Sequence, residues 1–361
     1  MSFCDLALDC VTQLQPYVPG KPIEELEREL GISNIVKLAS NENPLGPSAK
    51  VLSSIENAAK EVTRYPDGNG FVLKAALAEK YNLDTAQITL GNGSNDVLEC
   101  VARAFVTPAD EVMFSQYAFA VYPLVTQAIG AKEVIAPARD YGHDLSAMST
   151  LISERTKLIF IANPNNPTGT YLEANELEAF IAQVPETTLV VLDEAYVEYG
   201  EQQVNSIDWL EQYSNLIITR TFSKAYGLAG LRVGYALSHP EVADLLNRIR
   251  QPFNVNSIAL AAATTALQDN DYIVKTTRSN DAGMKQLIAG FNELNLSYIP
   301  SKGNFITVDV QKNGDQVFTD LLQQGVIVRP VSNYGLPKHI RVSIGLQAEN
   351  QRFLDALREV L

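Results

Sequence analysis

One lysine stands directly behind a serine, at the point where an apolar run ends, in the stretch TRTFSKAYGLAGLRVGYA at residues 219–236. The preceding run, NLIITRTF, is typical of a buried strand, so Lys224 is predicted to lie at a strand end. Near Arg232 and an anion site, its ammonium form would be disfavoured, and the neutral amine is a nucleophile for an aldehyde. A surface lysine that begins a loop is the alternative for Lys224 taken alone.

A glycine-rich turn follows another predicted strand, in LGNGSNDVLECVARAF. Backbone N–H groups at such a helix start, together with the helix dipole, form an anion site without a lysine. The stretch lacks the third glycine of a dinucleotide-binding motif and the Gly-Lys-Ser/Thr of a P-loop. A plain turn with Ser94 or Asn95 capping the helix is the alternative interpretation.

Asp193 ends the apolar strand in LVVLDEAYVEY, so its carboxylate is predicted to face a cleft at the sheet edge. Burial there would raise its pKa unless a partner is present, and a helix cap or a structural salt bridge is the alternative. Asn166 in NPNNPTG also fits a simple turn. A lysine, a strand-end aspartate and a phosphate-binding turn together are what pyridoxal phosphate requires, because they bind its aldehyde, its ring nitrogen and its phosphate.

The elements that must position these residues form an α/β pattern. From about residue 85 to 240, short apolar runs alternate with helical patterns, which predicts a mainly parallel seven-stranded sheet between helices. The predicted strands contain QITL, EVMF, EVIAP, KLIFIA, TLVVLD, NLIIT and VGYAL. Since ligands bind beyond the carboxyl ends of strands in such sheets, the polar clusters are expected to converge on one cleft.

A chain of 361 residues fits a large domain and a smaller one. We expect residues 1–45 to form an N-terminal arm and part of the small domain, and residues 46–255 to form the large cofactor-binding domain. Residues 256–361 are expected to form a small α+β C-terminal domain, with a long helical stretch followed by the strands FITVDV, VIVRP and IRVSIG.

Composition limits the partners and the compartment. The net charge is −14, from 42 acidic and 28 basic residues spread along the chain, which argues against nucleic acid. The start has no basic region typical of a secretory signal, and no apolar run is long enough for a membrane span. The three cysteines and three histidines lack metal-ligand spacing, so a cytoplasmic protein without a metal site is expected.

Motifs in matching order cover nearly the whole chain. They are LQPYVPGKPIEELERELG, KLASNENPLGPS, RYPDGNG, GNGSNDVLE, NPNNPTG, LDEAYVEY, RTFSKAYGLAGLRVGY, GNFI, GVIVRP and HIRVSIG. With these motifs the chain resembles the fold-type I pyridoxal-phosphate-dependent transferases, specifically the aminotransferases. LQPYVPGKP and the segment from VIVRP to HIRVSIG are similar to the histidinol-phosphate aminotransferase branch of that family.

The resemblance implies a catalytic role for three residues. Lys224 would bind the cofactor covalently and carry the proton between the substrate Cα and the cofactor C4′. Asp193 would pair with the pyridine nitrogen, and Tyr196 with the ring oxygen together with Asn166. Tyr117 in FSQYAFAVY would stack on the ring face, although Phe119 and Tyr122 offer aromatic faces in the same stretch.

The resemblance also implies how the cofactor phosphate is held. Tyr65 would reach it from the neighbouring subunit of a homodimer, which makes the dimer part of the site. Asn95 stands where many relatives carry an acidic residue, so the resemblance implies a phosphate contact only through its backbone amide. The remaining phosphate ligands implied are the amide of Ser94, the hydroxyls of Thr221 and Ser223, and Arg232.

At the substrate end, the resemblance implies that Arg341, Arg329 and Tyr17 hold the phosphate of L-histidinol phosphate, with Asn166 nearby. Arg341 would then accept a carboxylate of glutamate, by a bidentate fork. The implied reaction converts L-histidinol phosphate and 2-oxoglutarate to imidazole-acetol phosphate and L-glutamate, in histidine biosynthesis. An aromatic amino-acid aminotransferase and a threonine-phosphate decarboxylase are the alternatives.

Overall fold

The computed structural model describes residues 2–16, 20–200 and 205–361. The helices of this part are α1 (Asp9–Thr12), α2 (Ile23–Leu30), α3 (Ala49–Ala58), α4 (Phe71–Tyr81), α5 (Ser94–Phe105), α6 (Val121–Ile129), α7 (Leu145–Leu151), α8 (Ala174–Ile181), α9 (Pro240–Ile249), α10 (Ser257–Leu267), α11 (Asn270–Glu293), α12 (Gly314–Gln323) and α13 (Gln347–Val360). None of these helices is both long and apolar enough to cross a bilayer.

The strands belong to one large sheet, one smaller sheet and two strand pairs. They are β1 (Val36–Lys37), β2 (Ile88–Gly91), β3 (Glu111–Ser115), β4 (Lys132–Ala136), β5 (Ala138–Arg139), β6 (Gly142–His143), β7 (Thr156–Ala162), β8 (Leu189–Asp193), β9 (Leu216–Thr221), β10 (Gly234–Ser238), β11 (Tyr298–Ile299), β12 (Phe305–Asp309), β13 (Val326–Ile327), β14 (Arg329–Pro330) and β15 (His339–Ser343).

The large sheet has seven strands in the order β2-β10-β9-β8-β7-β3-β4, which confirms the predicted α/β fold. Strand β10 is antiparallel to both of its neighbours, and the other neighbouring pairs are parallel. Because β2 and β9 both run opposite to β10, they run the same way as each other. The carboxyl ends of β2, β7, β8 and β9 therefore meet at one edge of the sheet.

A buried ion pair fixes two of these strand ends. Glu194 follows β8 directly, and its Oε2 accepts hydrogen bonds from Nε and Nη2 of Arg220 at 2.8 and 2.7 Å. The Ser206 hydroxyl donates to the other oxygen, and the Arg220 guanidinium lies over the Tyr81 ring. Breaking one partner of a buried ion pair commonly costs about 3–5 kcal/mol, so this pair holds the ends of β8 and β9 together.

The small lobe is built on the antiparallel sheet β11-β12-β15-β14. Its core includes buried residues of α11, α12 and α13, among them Leu287, Val317 and Phe353. The N-terminal segment joins this lobe, because β1 pairs with β13 in parallel register.

Helix α10 lies with the large lobe. It packs on α3 and α4, and Ala259, Ala262, Ala263 and Ala266 are buried in the core beside the large sheet. This packing places α10 with the large lobe, whereas the expected large domain ended at residue 255.

Candidate active site

A cavity of about 170 Å³ lies at the carboxyl edge of the large sheet, where the two lobes meet. Residues from β8, β9 and the start of α5 line it on the large-lobe side, and residues from β14 and β15 line it on the other side. The structure thus brings together most of the side chains selected from the sequence, which are Ser94, Asn95, Asn166, Asp193, Tyr196, Thr221, Ser223, Lys224, Arg232, Arg329 and Arg341.

Lys224 follows β9 and lies in the cavity wall. Its Nζ donates a hydrogen bond to the carbonyl of Ser40 at 3.2 Å and lies 5.6 Å from the centre of the Tyr196 ring. Burial lowers the pKa of Lys224 to about 8, and the positive charges of Arg341 and Arg232 act in the same direction. The amine is therefore far easier to deprotonate than an ordinary lysine, as attack on an aldehyde requires.

Asp193 presents one carboxylate oxygen for a ligand. The Tyr122 hydroxyl donates to its Oδ2 at 2.8 Å, while the buried Oδ1 accepts no hydrogen bond from the residues that the structure describes. Burial raises the pKa of Asp193, and the polar groups of Tyr122, Thr219 and the Ala195 backbone oppose that rise. A carboxylate oxygen without a hydrogen-bond partner, on a residue of the cavity wall, fits the protonated ring nitrogen of pyridoxal phosphate.

The sequence indicated Tyr122 only as an aromatic face for the cofactor, and it did not predict the contact with Asp193. The ring is fully buried and lies flat on Phe160, with the ring centres 4.5 Å apart and the planes 2° from parallel. This stacking holds the hydroxyl in place. The pairing needs α6 to pack near the end of β8, 71 residues away along the chain, and no local pattern reveals it.

A cup for a phosphate group lies at the start of α5. Gly93 precedes the helix with a φ of 83°, which glycine adopts readily, and the free N–H groups of the first turn follow it. On the opposite side, Arg232 donates from Nη1 to the Ser223 hydroxyl at 3.3 Å. A Cβ on Gly234 would lie 2.4 Å from the Ser94 nitrogen, so a glycine there permits the close approach of β10 to the cup.

A chain of hydrogen bonds links the substrate arginine to the cofactor tyrosine. Arg341 donates from Nη1 to Oδ1 of Asn166, and Asn166 donates from Nδ2 to the Tyr196 hydroxyl oxygen at 3.2 Å. The same oxygen accepts a second bond, from Nδ2 of Asn41 at 2.9 Å. Burial raises the pKa of Tyr196 to about 12, which keeps its hydroxyl protonated and available as a donor.

Three aromatic residues line the cavity, Phe119, Tyr196 and Tyr334, and Tyr117 is not among the lining residues. Tyr117 packs instead against Tyr141, with ring centres 5.9 Å apart. Both residues lie in the irregular connection between β3 and α6, where two positions of similar character need not face the same way. The stacking role expected for Tyr117 stays a prediction, and Phe119 stays its alternative.

Tyr65, Tyr17 and Arg329 complete the expected set of residues. Tyr65 does not line the cavity of its own chain; it is 83% exposed and stacks on Phe253, with ring centres 4.8 Å apart. Tyr17 lies outside the residues that the structure describes. Arg329 lines this cavity and also a wider neighbouring one of about 690 Å³.

Sequence reasoning missed the segment that follows β1. Ala39, Ser40 and Asn41 all line the cavity, and each contacts one of the selected side chains. They lie within KLASNENPLGPS, a stretch that supported the family resemblance but carried no assigned role. Its two asparagines in a short polar run were the available signal.

Comparisons with known proteins agree with this geometry. Residues 33–357 match the family described as aminotransferase class I and II. The chain is 60% identical to histidinol-phosphate aminotransferase 2 of Pseudomonas fluorescens strain Pf-5, over 99% of this chain and 98% of the relative. It is 57% identical to histidinol-phosphate aminotransferase 1 of Nitrosococcus oceani, over 99% and 98% of the two chains.

A solved structure is similar over the same extent. The histidinol-phosphate aminotransferase of Sinorhizobium meliloti, in complex with pyridoxal-5′-phosphate, superposes with a TM-score of 0.91 at 33% identity, covering 98% of this chain and 96% of the other. The chain therefore belongs to the class I and II aminotransferases and, within them, to the histidinol-phosphate aminotransferases.

Proposed function

We propose that this protein transfers an amino group between L-histidinol phosphate and 2-oxoglutarate, giving imidazole-acetol phosphate and L-glutamate, as a cytoplasmic step of histidine biosynthesis. The observation that carries the proposal is the convergence of Lys224, Asp193 and two arginines, Arg329 and Arg341, on one cavity. The full-length relatives named histidinol-phosphate aminotransferase support the choice of substrate.

The cofactor is pyridoxal phosphate, which supplies an aldehyde for the amino group and a ring that withdraws electrons from the substrate Cα. Lys224 binds that aldehyde and afterwards carries the proton to and from the substrate Cα. Asp193 accepts the ring N–H through Oδ1, and Tyr196 donates its hydroxyl to the ring oxygen. The hydrogen bond between Asn166 and Tyr196 supports this orientation.

The remaining large-lobe residues hold the cofactor in place. Tyr117 stacks on the ring face, as the resemblance implies, and Phe119 in the cavity wall is the alternative. The phosphate lies in the cup at the start of α5, where amides, hydroxyls and one guanidinium can surround it without a metal ion. These phosphate ligands are the amides of Ser94 and Asn95, the hydroxyls of Thr221 and Ser223, and Arg232.

The arginines of the small lobe hold the anionic ends of the substrates. Arg329 and Arg341, with Tyr17, bind the phosphate of histidinol phosphate, and Arg341 binds a carboxylate of glutamate in the second half-reaction. A chain of net charge −14 repels anions at long range, so a locally positive cleft is needed to attract them. Arg232, Arg329 and Arg341 in the cavity wall supply that positive charge.

Arg329→Ala tests the substrate choice. Losing one charge-assisted contact to a phosphate should lower kcat/KM for histidinol phosphate roughly tenfold to hundredfold. The kcat/KM for phenylalanine should change less, because Arg341 alone can hold its carboxylate by two parallel hydrogen bonds. The measurement is the ratio of the two kcat/KM values in the wild type and the variant.

Arg103→Ala is the matched control, because this arginine lies on α5 outside the cavity and pairs with Glu99. If the ratio of the two kcat/KM values is unchanged in Arg329→Ala, Arg329 does not bind the substrate phosphate. That result would favour an aromatic amino-acid aminotransferase. Release of carbon dioxide from threonine phosphate would instead identify a decarboxylase.

We also propose that the protein acts as a homodimer in which Tyr65 reaches the phosphate cup of the partner subunit. Tyr65 is exposed and stacks on Phe253, which is also exposed, and Val62, Phe71 and Val72 nearby in the sequence are exposed as well. Exposed apolar side chains that lie together are typical of protein interfaces. Tyr65 does not line the cavity of its own chain, which fits a role in another one.

A further inference from the structure

Three consecutive residues after β1 each contact a different functional side chain. The carbonyl of Ala39 accepts from Arg341 Nη2 at 2.8 Å, and the carbonyl of Ser40 accepts from Lys224 Nζ at 3.2 Å. Asn41 donates from its side chain to Tyr196. One short segment thus touches the substrate arginine, the cofactor lysine and the cofactor tyrosine.

Asn41 is the most tightly held member of this segment. It is 1% exposed and has a φ of 54°, in the left-handed region that asparagine tolerates better than most residues. Its backbone N–H donates to the Ser343 hydroxyl at 2.7 Å, and the same hydroxyl donates to its Oδ1 at 3.1 Å. Its carbonyl accepts from Asn304 Nδ2 at 2.9 Å. Asn41 is therefore fixed to β15 and to the start of β12, both in the small lobe.

The hydrogen bonds that the Tyr196 oxygen accepts restrict the direction in which its hydroxyl hydrogen can point. A phenol has one donor and two acceptor positions, and Nδ2 of Asn41 and Nδ2 of Asn166 both donate to the Tyr196 oxygen. With both acceptor positions filled by amide donors, the hydroxyl hydrogen must point away from them. Tyr196 lines the cavity, so the free direction lies toward the ligand.

We infer that Asn41 is a positioning residue, which directs the Tyr196 hydroxyl hydrogen toward the ring oxygen of the bound cofactor and ties that orientation to the small lobe through Ser343. The inference rests on the proposed function for the identity of the cofactor. It assigns Asn41 no contact with the reacting atoms.

The test is a double-mutant cycle read by absorbance. Asn41→Gly removes the amide but keeps a residue that adopts the left-handed φ without strain. A hydrogen bond from Tyr196 favours the ionised ring oxygen, so its misdirection should raise the pKa at which the bound cofactor loses its proton and changes colour. We expect a rise of about half a pH unit or more in the wild-type background. In the Tyr196→Phe background, Asn41→Gly should produce no further shift.

The control is Asn82→Gly, which makes the same replacement at a φ of 54°, in an exposed helix cap far from the cavity. It should leave the titration unchanged. If Asn41→Gly does not fold, Ser343→Ala enters the same cycle, because it removes the group that holds Asn41 while leaving its amide in place. Urea unfolding of each holoenzyme separates a loss of stability from a change in the titration.

Equal shifts in the wild-type and Tyr196→Phe backgrounds would overturn the inference, and so would no shift in either. These outcomes are distinct from failure of the proposed function. That failure would appear in the wild-type protein itself, as no absorbance from bound pyridoxal phosphate or no amino transfer from histidinol phosphate.

Discussion

Tyr122 holds one oxygen of Asp193 and leaves the other open, so the orientation of the carboxylate is set by a residue that need not touch the cofactor. The same hydrogen bond also stabilises the charged form, against the burial that raises the pKa of Asp193. At the scale of single residues, the chemistry of the site therefore depends on which buried groups are hydrogen-bonded to each other.

Tyr122→Phe should keep the stacking on Phe160 and remove only the hydroxyl. A hydrogen bond to a charged group contributes about 1.5–3 kcal/mol, so kcat should fall roughly tenfold to hundredfold. The ¹⁵N NMR shift of a labelled cofactor ring should move toward the unprotonated nitrogen, because Asp193 becomes a weaker charged partner.

Tyr235→Phe is the control for this change, since it removes another buried hydroxyl that bonds at 2.7 Å, in that case to Tyr81. It should leave the ring-nitrogen signal in place. A normal kcat and an unmoved ¹⁵N shift in Tyr122→Phe would show that Asp193 does not need this partner.

Lys224 gives a pH dependence with a definite sign. Its pKa is lowered to about 8, so the fraction of neutral, reactive amine rises as the pH increases through about 8 and then levels off. An ordinary lysine would continue to gain reactivity beyond pH 10. The initial rate at which cofactor-free protein captures pyridoxal phosphate, followed by absorbance against pH, measures this. A rate that is still climbing steeply between pH 9 and 10 would contradict the depressed pKa.

At this scale, the sequence predicted the placement of residues that follow a strand, while their roles stay predictions. Lys224 and Asp193 end apolar runs, and the edge of a parallel sheet brought them into one cavity. The stacking role of Tyr117 stays a prediction, because the connection that holds Tyr117 and Phe119 has no period that distinguishes inward from outward positions. Asn41 could not be identified, since its role depends on Tyr196 and Ser343, which lie 155 and 302 residues away along the chain.

At the scale of elements, the apolar runs predicted all seven strands of the large sheet, but their order needs three-dimensional contacts. Strand β10 lies between β2 and β9 and is antiparallel to both, although its sequence resembles those of the parallel strands in the sheet. A short apolar run indicates that a strand is buried, but it does not indicate which strand lies next to it. The contact between β10 and the start of α5 is a consequence of this order, and it shapes the phosphate cup.

Gly234→Ala tests that contact. The added Cβ would lie 2.4 Å from the Ser94 nitrogen and 2.8 Å from the Gly93 carbonyl carbon, both of them backbone atoms, so the cup must widen. We expect at least a tenfold weaker affinity for pyridoxal phosphate, since displaced amides lose hydrogen bonds to a charged group of about 1.5–3 kcal/mol each. Equilibrium titration of the cofactor-free protein, followed by fluorescence or absorbance, gives the Kd.

Gly230→Ala is the matched control, because its Cβ would meet nothing within 4 Å and its φ is not in the left-handed region. It should bind the cofactor as the wild type does. Equal affinities for the two alanine variants would mean that the approach of β10 does not shape the cup.

At the scale of the whole molecule, the N-terminal segment crosses from the small lobe to the cavity. It pairs with β13 through β1 and then places Ala39 against Arg341, so the small lobe and the site share one piece of chain. The predicted domain boundary at residue 255 precedes α10 because helical periodicity continues through both α10 and α11. The alanine-rich face that packs α10 on α3 is recognisable only once α3 is known to lie beside it.

Complementation between two variants tests whether the second subunit contributes to the site. Tyr65→Ala and Lys224→Ala should each be poorly active, yet a mixture that exchanges subunits should regain activity. In the hybrid dimer, the chain with Lys224 receives Tyr65 from its partner, so one of the two sites is complete. With random exchange, half of the dimers are hybrid, and the activity should approach about one quarter of the wild-type value.

A mixture of Lys224→Ala with Asp193→Ala is the control, because these two residues line the same cavity of one chain and no hybrid site contains both. It should stay inactive. Subunit exchange is verified by mass spectrometry of differently labelled chains. If exchange is complete and the Tyr65→Ala mixture stays as inactive as the control, Tyr65 is not donated across the interface, and its stacking on Phe253 within its own chain is its role.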